Sequence, residues 1–250
     1  MSSGVEILAQ ANQLRQERRY RESLVIYAAL LQAEPENREA LIGKGWALLL
    51  EGEKINDAGY DEALICFQSA LKGNEGNVAM LHEYVRALIE TGAIRHWKTA
   101  SQVCDQILAL VPNDLQALIG KARVLCWLGQ NEESIVICDR IIEINVEMGE
   151  GWNCRGWALY ALDRYEDAIA CFDRALALDS RLTATWAFRG LILMKLGRQQ
   201  EALASVDRAL ELAPNYSTAK CFKIDILQAM GKPDEAQRAI DELPPIEFHF

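Results

Sequence analysis

The sequence repeats itself at an interval of thirty-four residues. The run Gly151-Trp152-Asn153-Cys154-Arg155-Gly156-Trp157-Ala158-Leu159 returns as Thr185-Trp186-Ala187-Phe188-Arg189-Gly190-Leu191-Ile192-Leu193. A period of that length confines the chain to architectures in which a small supersecondary unit stacks on copies of itself, because one such unit cannot bury its apolar face alone. Within the period the apolar residues keep helical spacing. Ala168 and Phe172, four apart, fall on one face of a helix, as do Ala63 and Phe67 or Ser23 and Tyr27. Glycines at 52, 92, 129, 197 and 231 stand where the first helix of each unit must stop, a place that favours a residue able to adopt positive φ. Pro35, Pro112 and Pro214 follow the second helix of three units.

Trp152, Gly156, Leu159, Tyr165, Ala168, Phe172 and Ala175 occupy the places where the tetratricopeptide signature carries Trp, Gly, Tyr, a second Tyr, Ala, Phe and Ala. The chain therefore resembles a tetratricopeptide repeat (TPR) protein. The resemblance implies an all-α solenoid of helix-turn-helix repeats wound into a right-handed superhelix. Laid along the chain, the pattern predicts a single domain, 1–250, of seven repeats at about 4–37, 38–77, 78–114, 115–148, 149–182, 183–216 and 217–250. Two stretches break the period between the paired helices, near 53–59 and near 93–96, and are expected to form neighbouring edge loops. They are either tolerated surface drift or a second contact site. The segment Leu243–Phe250 ends in an apolar run that a solvated cap would not need, so it packs on the last repeat, continues into another segment, or mediates self-association.

Each of Asp105, Asp139, Asp173 and Asp207 is followed sixteen residues later by a base: Lys121, Arg155, Arg189 and Lys223. Four coincidences at one offset predict an ion pair joining the second helix of one repeat to the first helix of the next. Gln68 precedes Tyr84 and Ala28 precedes Lys44 at the same offset, so the earlier junctions are expected to lack the pair, with Lys44 free of a carboxylate.

The resemblance also implies a concave groove lined by positions 2, 5, 9, 12 and 13 of each first helix. These columns hold aromatic and apolar residues, with two arginines. The candidate peptide-binding residues are Trp46, Arg86, Arg123, Trp127, Trp157, Tyr160, Leu191 and Met194. Aromatic anchors beside arginine are the usual chemistry of protein interfaces, although the same tryptophans could equally fill the space between adjacent helices. The carboxylate clamp of chaperone-binding TPR proteins is disfavoured, since position 5 never holds Lys and position 9 is Asn only at Asn12.

Composition narrows the function further. The net charge of −10, with no Lys/Arg-rich stretch, argues against nucleic acid as a partner. No apolar run approaches the roughly 18 residues that span a bilayer, and the N-terminus lacks a signal-peptide pattern, so a cytoplasmic location and no membrane contact are expected. The seven cysteines form no C-x-x-C pair and sit in apolar helical stretches, as reduced core residues do. With three scattered histidines and no nucleophile–base set, no metal, cofactor or catalysis is expected. The expected role is a non-catalytic scaffold or adaptor that holds a peptide or helix of a protein partner and aids complex assembly. The alternative is a regulatory or targeting subunit of a larger enzyme or signalling complex.

Overall fold

A computed structural model describes residues 4–51 and 57–241, all of whose regular structure is helical. The residues fall into two compact units, one ending at Leu128 and one starting at Gly129. The first holds α1 (Gly4–Gln16), α2 (Tyr20–Ala33), α3 (Arg38–Glu51), α4 (Asp57–Leu71), α5 (Val78–Glu90), α6 (Ile94–Leu110) and α7 (Leu115–Trp127). The second holds α8 (Asn131–Ile144), α9 (Gly149–Ala161), α10 (Tyr165–Leu178), α11 (Thr183–Lys195), α12 (Gln199–Leu212), α13 (Ser217–Ala229) and α14 (Pro233–Asp241). In each unit every helix packs on the next in sequence, and alternate helices such as α1 and α3, α5 and α7, or α11 and α13 also touch. That is a layered stack of helix pairs.

The stack closes through a size match between facing positions. A Cβ on Gly156 would lie 2.5 Å from the Phe172 ring, and one on Gly45 would lie 2.7 Å from Phe67. Gly190 is tighter still, with Val206 Cγ2 at 2.5 Å and the Ala202 carbonyl at 2.9 Å. Phe67 and Phe172 are buried against these glycines. Glycine ordinarily weakens a helix interior, so its use here is a packing requirement.

Helix ends follow the expected punctuation. Gly92, Gly129, Gly197 and Gly231 have φ between 63 and 75°. At α11 the turn is closed by Arg198 N donating to Leu193 O and Gly197 N donating to Met194 O, the paired bonds of a Schellman ending. Arg18 (φ 61°) and Asp163 (φ 57°) take the same left-handed place after α1 and α9 without being glycine. At the other ends, Asn37, Asn77 and Asp114 accept from the backbone N–H of Ala40, Met80 and Ala117. Trp152 and Trp186 each donate Nε1–H to the carbonyl six residues earlier, Val146 and Ser180, tying the inter-repeat turn to the helix that follows.

The second break in the period is not a loop. The connection from α5 to α6 is Thr91, Gly92 and Ala93, as short as Leu196–Arg198 between α11 and α12. The additional residues lengthen α6 instead, which has 17 residues against 14 in α8, α10 and α12. Internal hydrogen bonding sustains the added turn. Arg95 Nε donates to His96 Nε2 (3.0 Å), which leaves Nδ1–H to donate to Thr91 Oγ1 (2.8 Å), whose hydroxyl donates to Leu88 O (2.8 Å). Of the first break, expected near 53–59, residues 53–56 lie outside the described residues and 57–59 open α4; the C-terminal run 243–250 lies outside them entirely.

Two substitutions test this packing. Helix propensity alone would make Gly→Ala stabilising by about 1 kcal/mol, whereas the ring and carbonyl contacts predict that Gly156→Ala and Gly190→Ala each destabilise by about 1–3 kcal/mol in urea unfolding. Arg18→Gly, by relieving a left-handed backbone, should raise stability by about 1 kcal/mol in the same assay.

Candidate interaction surfaces

The sixteen-residue ladder is present at all four predicted rungs. Arg155 Nε meets Asp139 at 2.7 Å, Arg189 Nε meets Asp173 at 2.6 Å, Lys223 Nζ meets Asp207 at 2.7 Å, and Lys121 pairs with Asp105. The offset also carries a neutral rung, since Gln68 Nε2 donates to Tyr84 Oη at 2.7 Å. Lys44 is not free as expected. It pairs with Glu62 at 2.8 Å, from the partner helix of its own repeat. The two arginines do more than the lysines. Arg155 Nη1 also donates to Cys171 (3.2 Å) and Arg189 Nη1 to Ser205 (2.6 Å), so each guanidinium spans three successive helices. Its planar fork allows this where an ammonium offers one point charge. Because these bases are consumed internally, the ladder is stacking hardware and offers little to an anionic ligand.

In the first unit, Trp46 lies in the interior at 8% exposure, edge-on to Phe67 with centroids 5.4 Å apart. Its Nε1 donates to Glu83 Oε2 at 2.6 Å. The Arg86 guanidinium sits 4.7 Å above the Trp46 ring and donates to Glu83 Oε1 at 2.8 Å. Trp46, Glu83 and Arg86 thus form a closed group joining α3 to α5, and Trp46 is a packing residue with no free surface to offer a peptide. Trp127 differs. It is 41% exposed, stacks on Trp97 at 5.2 Å, and has the Arg123 guanidinium 5.2 Å above its ring.

In the second unit the aromatics connect across three first helices. Trp157 of α9 contacts Phe172 at 5.6 Å and Phe188 of α11 at 4.3 Å, and Phe188 contacts Phe222 of α13 at 5.2 Å. Tyr160 joins the row through Trp157 (6.3 Å) and Phe188 (5.9 Å). The contacts are mostly edge-to-face, the arrangement aromatic quadrupoles favour. Trp157, Tyr160, Phe188, Leu191, Met194 and Phe222 are all half-buried, so the row is both wall and surface. Leu191 follows Phe188 by three residues and shares its side of α11. Phe188 and Phe222 stand at position 6 of their helices, which the family resemblance puts near the groove edge, and lie outside the candidate peptide-binding set. Their signal was their place one position beyond the fifth column in consecutive repeats, beside the aromatic at position 9 of α9.

Four of the cysteines are held as thiols. Burial pushes the Cys104 thiol up to about 12, and raises Cys66 and Cys171 although Lys44 and Arg155 lie beside them. A hydrogen bond with Cys154, reinforced by burial, raises Cys138 as well. Thiols held in the protonated form make poor nucleophiles and poor metal ligands. Among the described residues no group of three or more His, Cys, Asp or Glu side chains could hold a metal ion. No described helix is long and apolar enough to cross a membrane.

A helical-pair stack with glycine–aromatic closure and left-handed helix ends defines the class of the protein as an all-α repeat solenoid. Tetratricopeptide repeat family models match residues 8–77, 149–182 and 183–216, together more than half of the chain, and the chain belongs to the tetratricopeptide repeat family. No curated protein matches it by sequence. Among solved structures it is similar to a tetratricopeptide repeat protein of Parabacteroides merdae ATCC 43184, with TM-score 0.76 and 17% identity over 99% of this chain and 96% of that one. It is also similar to TTC0263, a thermophilic TPR protein of Thermus thermophilus, with TM-score 0.59 and 21% identity over 77% of this chain and 98% of that one. YrrB, described as a TPR protein with an unusual peptide-binding site, aligns with TM-score 0.56 and 17% identity over 73% and 90% of the two chains.

The ladder gives a direct test. A double-mutant cycle on Asp139→Ala and Arg155→Ala should return a coupling of about 0.5–1 kcal/mol, the upper part of the range for partly exposed pairs. The coupling should shrink in 1 M salt, where the screening length falls to about 3 Å. Zero coupling at low salt would remove the rung's structural role.

Proposed function

We propose that this chain is a non-catalytic interaction scaffold whose unit from Gly129 onward receives a peptide or short amphipathic helix of a partner protein. The contact surface is Trp157, Tyr160, Phe188, Leu191, Met194 and Phe222. The observation that carries this reading is the continuous row of half-buried aromatics from α9 to α13. Each ring is held by its neighbours and keeps part of its surface open, and rigid aromatic area loses little conformational entropy on binding. Arg155 and Arg189 are already paired with Asp139 and Asp173, so apolar fit dominates the choice of ligand. A helix laid across the row would present residues at three- and four-residue spacing. The peptide-binding site named for YrrB, a protein of similar fold, supports the same use of this architecture. By holding one partner in this way the scaffold would help assemble a larger complex.

The test must separate surface from wall. Trp157→Ala removes packing against Phe172 and Phe188 and should cost about 3–5 kcal/mol of stability, so it is a poor probe. Tyr160→Ala combined with Leu191→Glu changes the open side of the row. Peptides selected from a random display library against the full chain should carry apolar residues at helical spacing. They should lose at least tenfold in affinity to the double variant while its melting midpoint stays within a few degrees of wild type. Selected peptides that bind the double variant undiminished would overturn the assignment.

A further inference from the structure

The first unit contains two arginine-over-tryptophan pairs, and only one of them is complete. At Trp46 and Arg86 the chain supplies its own carboxylate: Glu83 accepts from the indole Nε1 at 2.6 Å and from the guanidinium at 2.8 Å. At Trp127 the cation and ring recur, with Arg123 5.2 Å above an indole that is 41% exposed. There Arg123 makes no ion pair and the Trp127 N–H no hydrogen bond to any described residue. The buried Nε1 of Trp97, stacked on Trp127, has no acceptor either. These three side chains offer N–H donors beside aromatic surface. Ile94, 70% exposed, lies one turn before Trp97 at the start of the lengthened α6.

We propose that Arg123 and Trp127, backed by Trp97, bind a glutamate or aspartate side chain carried beside an apolar residue on a partner protein. The carboxylate would play the chemical part that Glu83 plays at Trp46, although here cation and ring share one helix, and would accept from the Arg123 guanidinium and the Trp127 indole N–H. The neighbouring apolar side chain would cover the open tryptophan face. Charge complementarity selects this occupant, because a basic or neutral segment would leave the exposed guanidinium unanswered. The proposal is argued from residues of the first unit alone and does not rest on the aromatic row.

The experiment uses the full chain labelled with ¹⁵N and a pair of acetylated, amidated peptides, Glu-Leu-Glu-Phe and Gln-Leu-Gln-Phe. The Trp127 indole resonance is identified by its loss in Trp127→Phe. The glutamate peptide is expected to shift that resonance and to bind at least tenfold more tightly than its glutamine counterpart. Arg123→Gln should erase the difference, and Tyr160→Ala/Leu191→Glu should leave it intact. Blocking both ends excludes a terminal carboxylate as the source of any effect. Equal affinity for the two peptides, an unmoved Trp127 resonance, or undiminished preference in Arg123→Gln would each overturn the proposal. Loss of the preference in Tyr160→Ala/Leu191→Glu alone would do the same, by moving carboxylate recognition to the second unit.

Discussion

The stack rests on the approach of each first helix to its partner, and that approach is set by volume at one pair of facing positions. Where the first helix carries glycine, the partner carries bulk: Gly45 faces Phe67, Gly156 faces Phe172, and Gly190 faces Val206. Where the first helix carries Val85, the partner column holds Cys104, and both are buried. A small residue on one helix answers a larger one on the other, as a close-packed interior requires, and at Gly190 the smaller Val206 goes with a closer approach to the Ala202 carbonyl. The match also accounts for the cysteine in that column. Cys104 is a small apolar filler in a repeat that gave up glycine, and its raised thiol pKa follows from the same burial.

Volume fixes distance, whereas the ladder fixes register. An ion pair in a half-exposed position adds little net stability, because desolvation and side-chain ordering offset most of the attraction. Its directional hydrogen bonds still distinguish one rotational setting of a helix from another. Arg155 and Arg189 hold three helices each, with a carboxylate behind and a thiol or hydroxyl ahead. The rung between Gln68 and Tyr84 does the same with uncharged groups. Geometry at the junction, more than charge, is therefore what the repeat preserves.

The periodic part of this architecture was legible because it depends on spacing. Ala168 and Phe172 declare a helix face, and Asp139 with Arg155 declares which helices meet, without knowledge of any rotamer. The interruption at 93–96 was legible as a break but not as a helical turn. What keeps those residues helical is the chain from Arg95 through His96 and Thr91 to Leu88 O, a network of side chains that no period announces. Lys44 was misjudged for a related reason. Its carboxylate comes from Glu62, at an offset of eighteen, outside the column that the other bases use. The candidate surface was least legible. Trp46 and Trp157 share position 9, yet one is sealed by Glu83 and the other opens onto Phe188, because the neighbouring repeats supply different partners.

That divergence says where specificity can reside in a repeat protein. Residues that recur with the period are engaged by recurring contacts: Gly45 and Gly156 by rings, Gly190 by Val206, Arg155 and Arg189 by aspartates, Trp152 and Trp186 by the carbonyls of the preceding turn. A side chain so engaged has less to offer a ligand. On the proposed assignment, recognition falls to positions where one repeat lacks the partner that another possesses. The comparison of Trp46 with Trp127 makes the point within a single unit. The same ring and the same guanidinium are structural where Glu83 completes them and incomplete where no described residue does. If the proposal holds, a repeat scaffold gains a binding site where an internal carboxylate is missing, with no change to the contacts that build the stack.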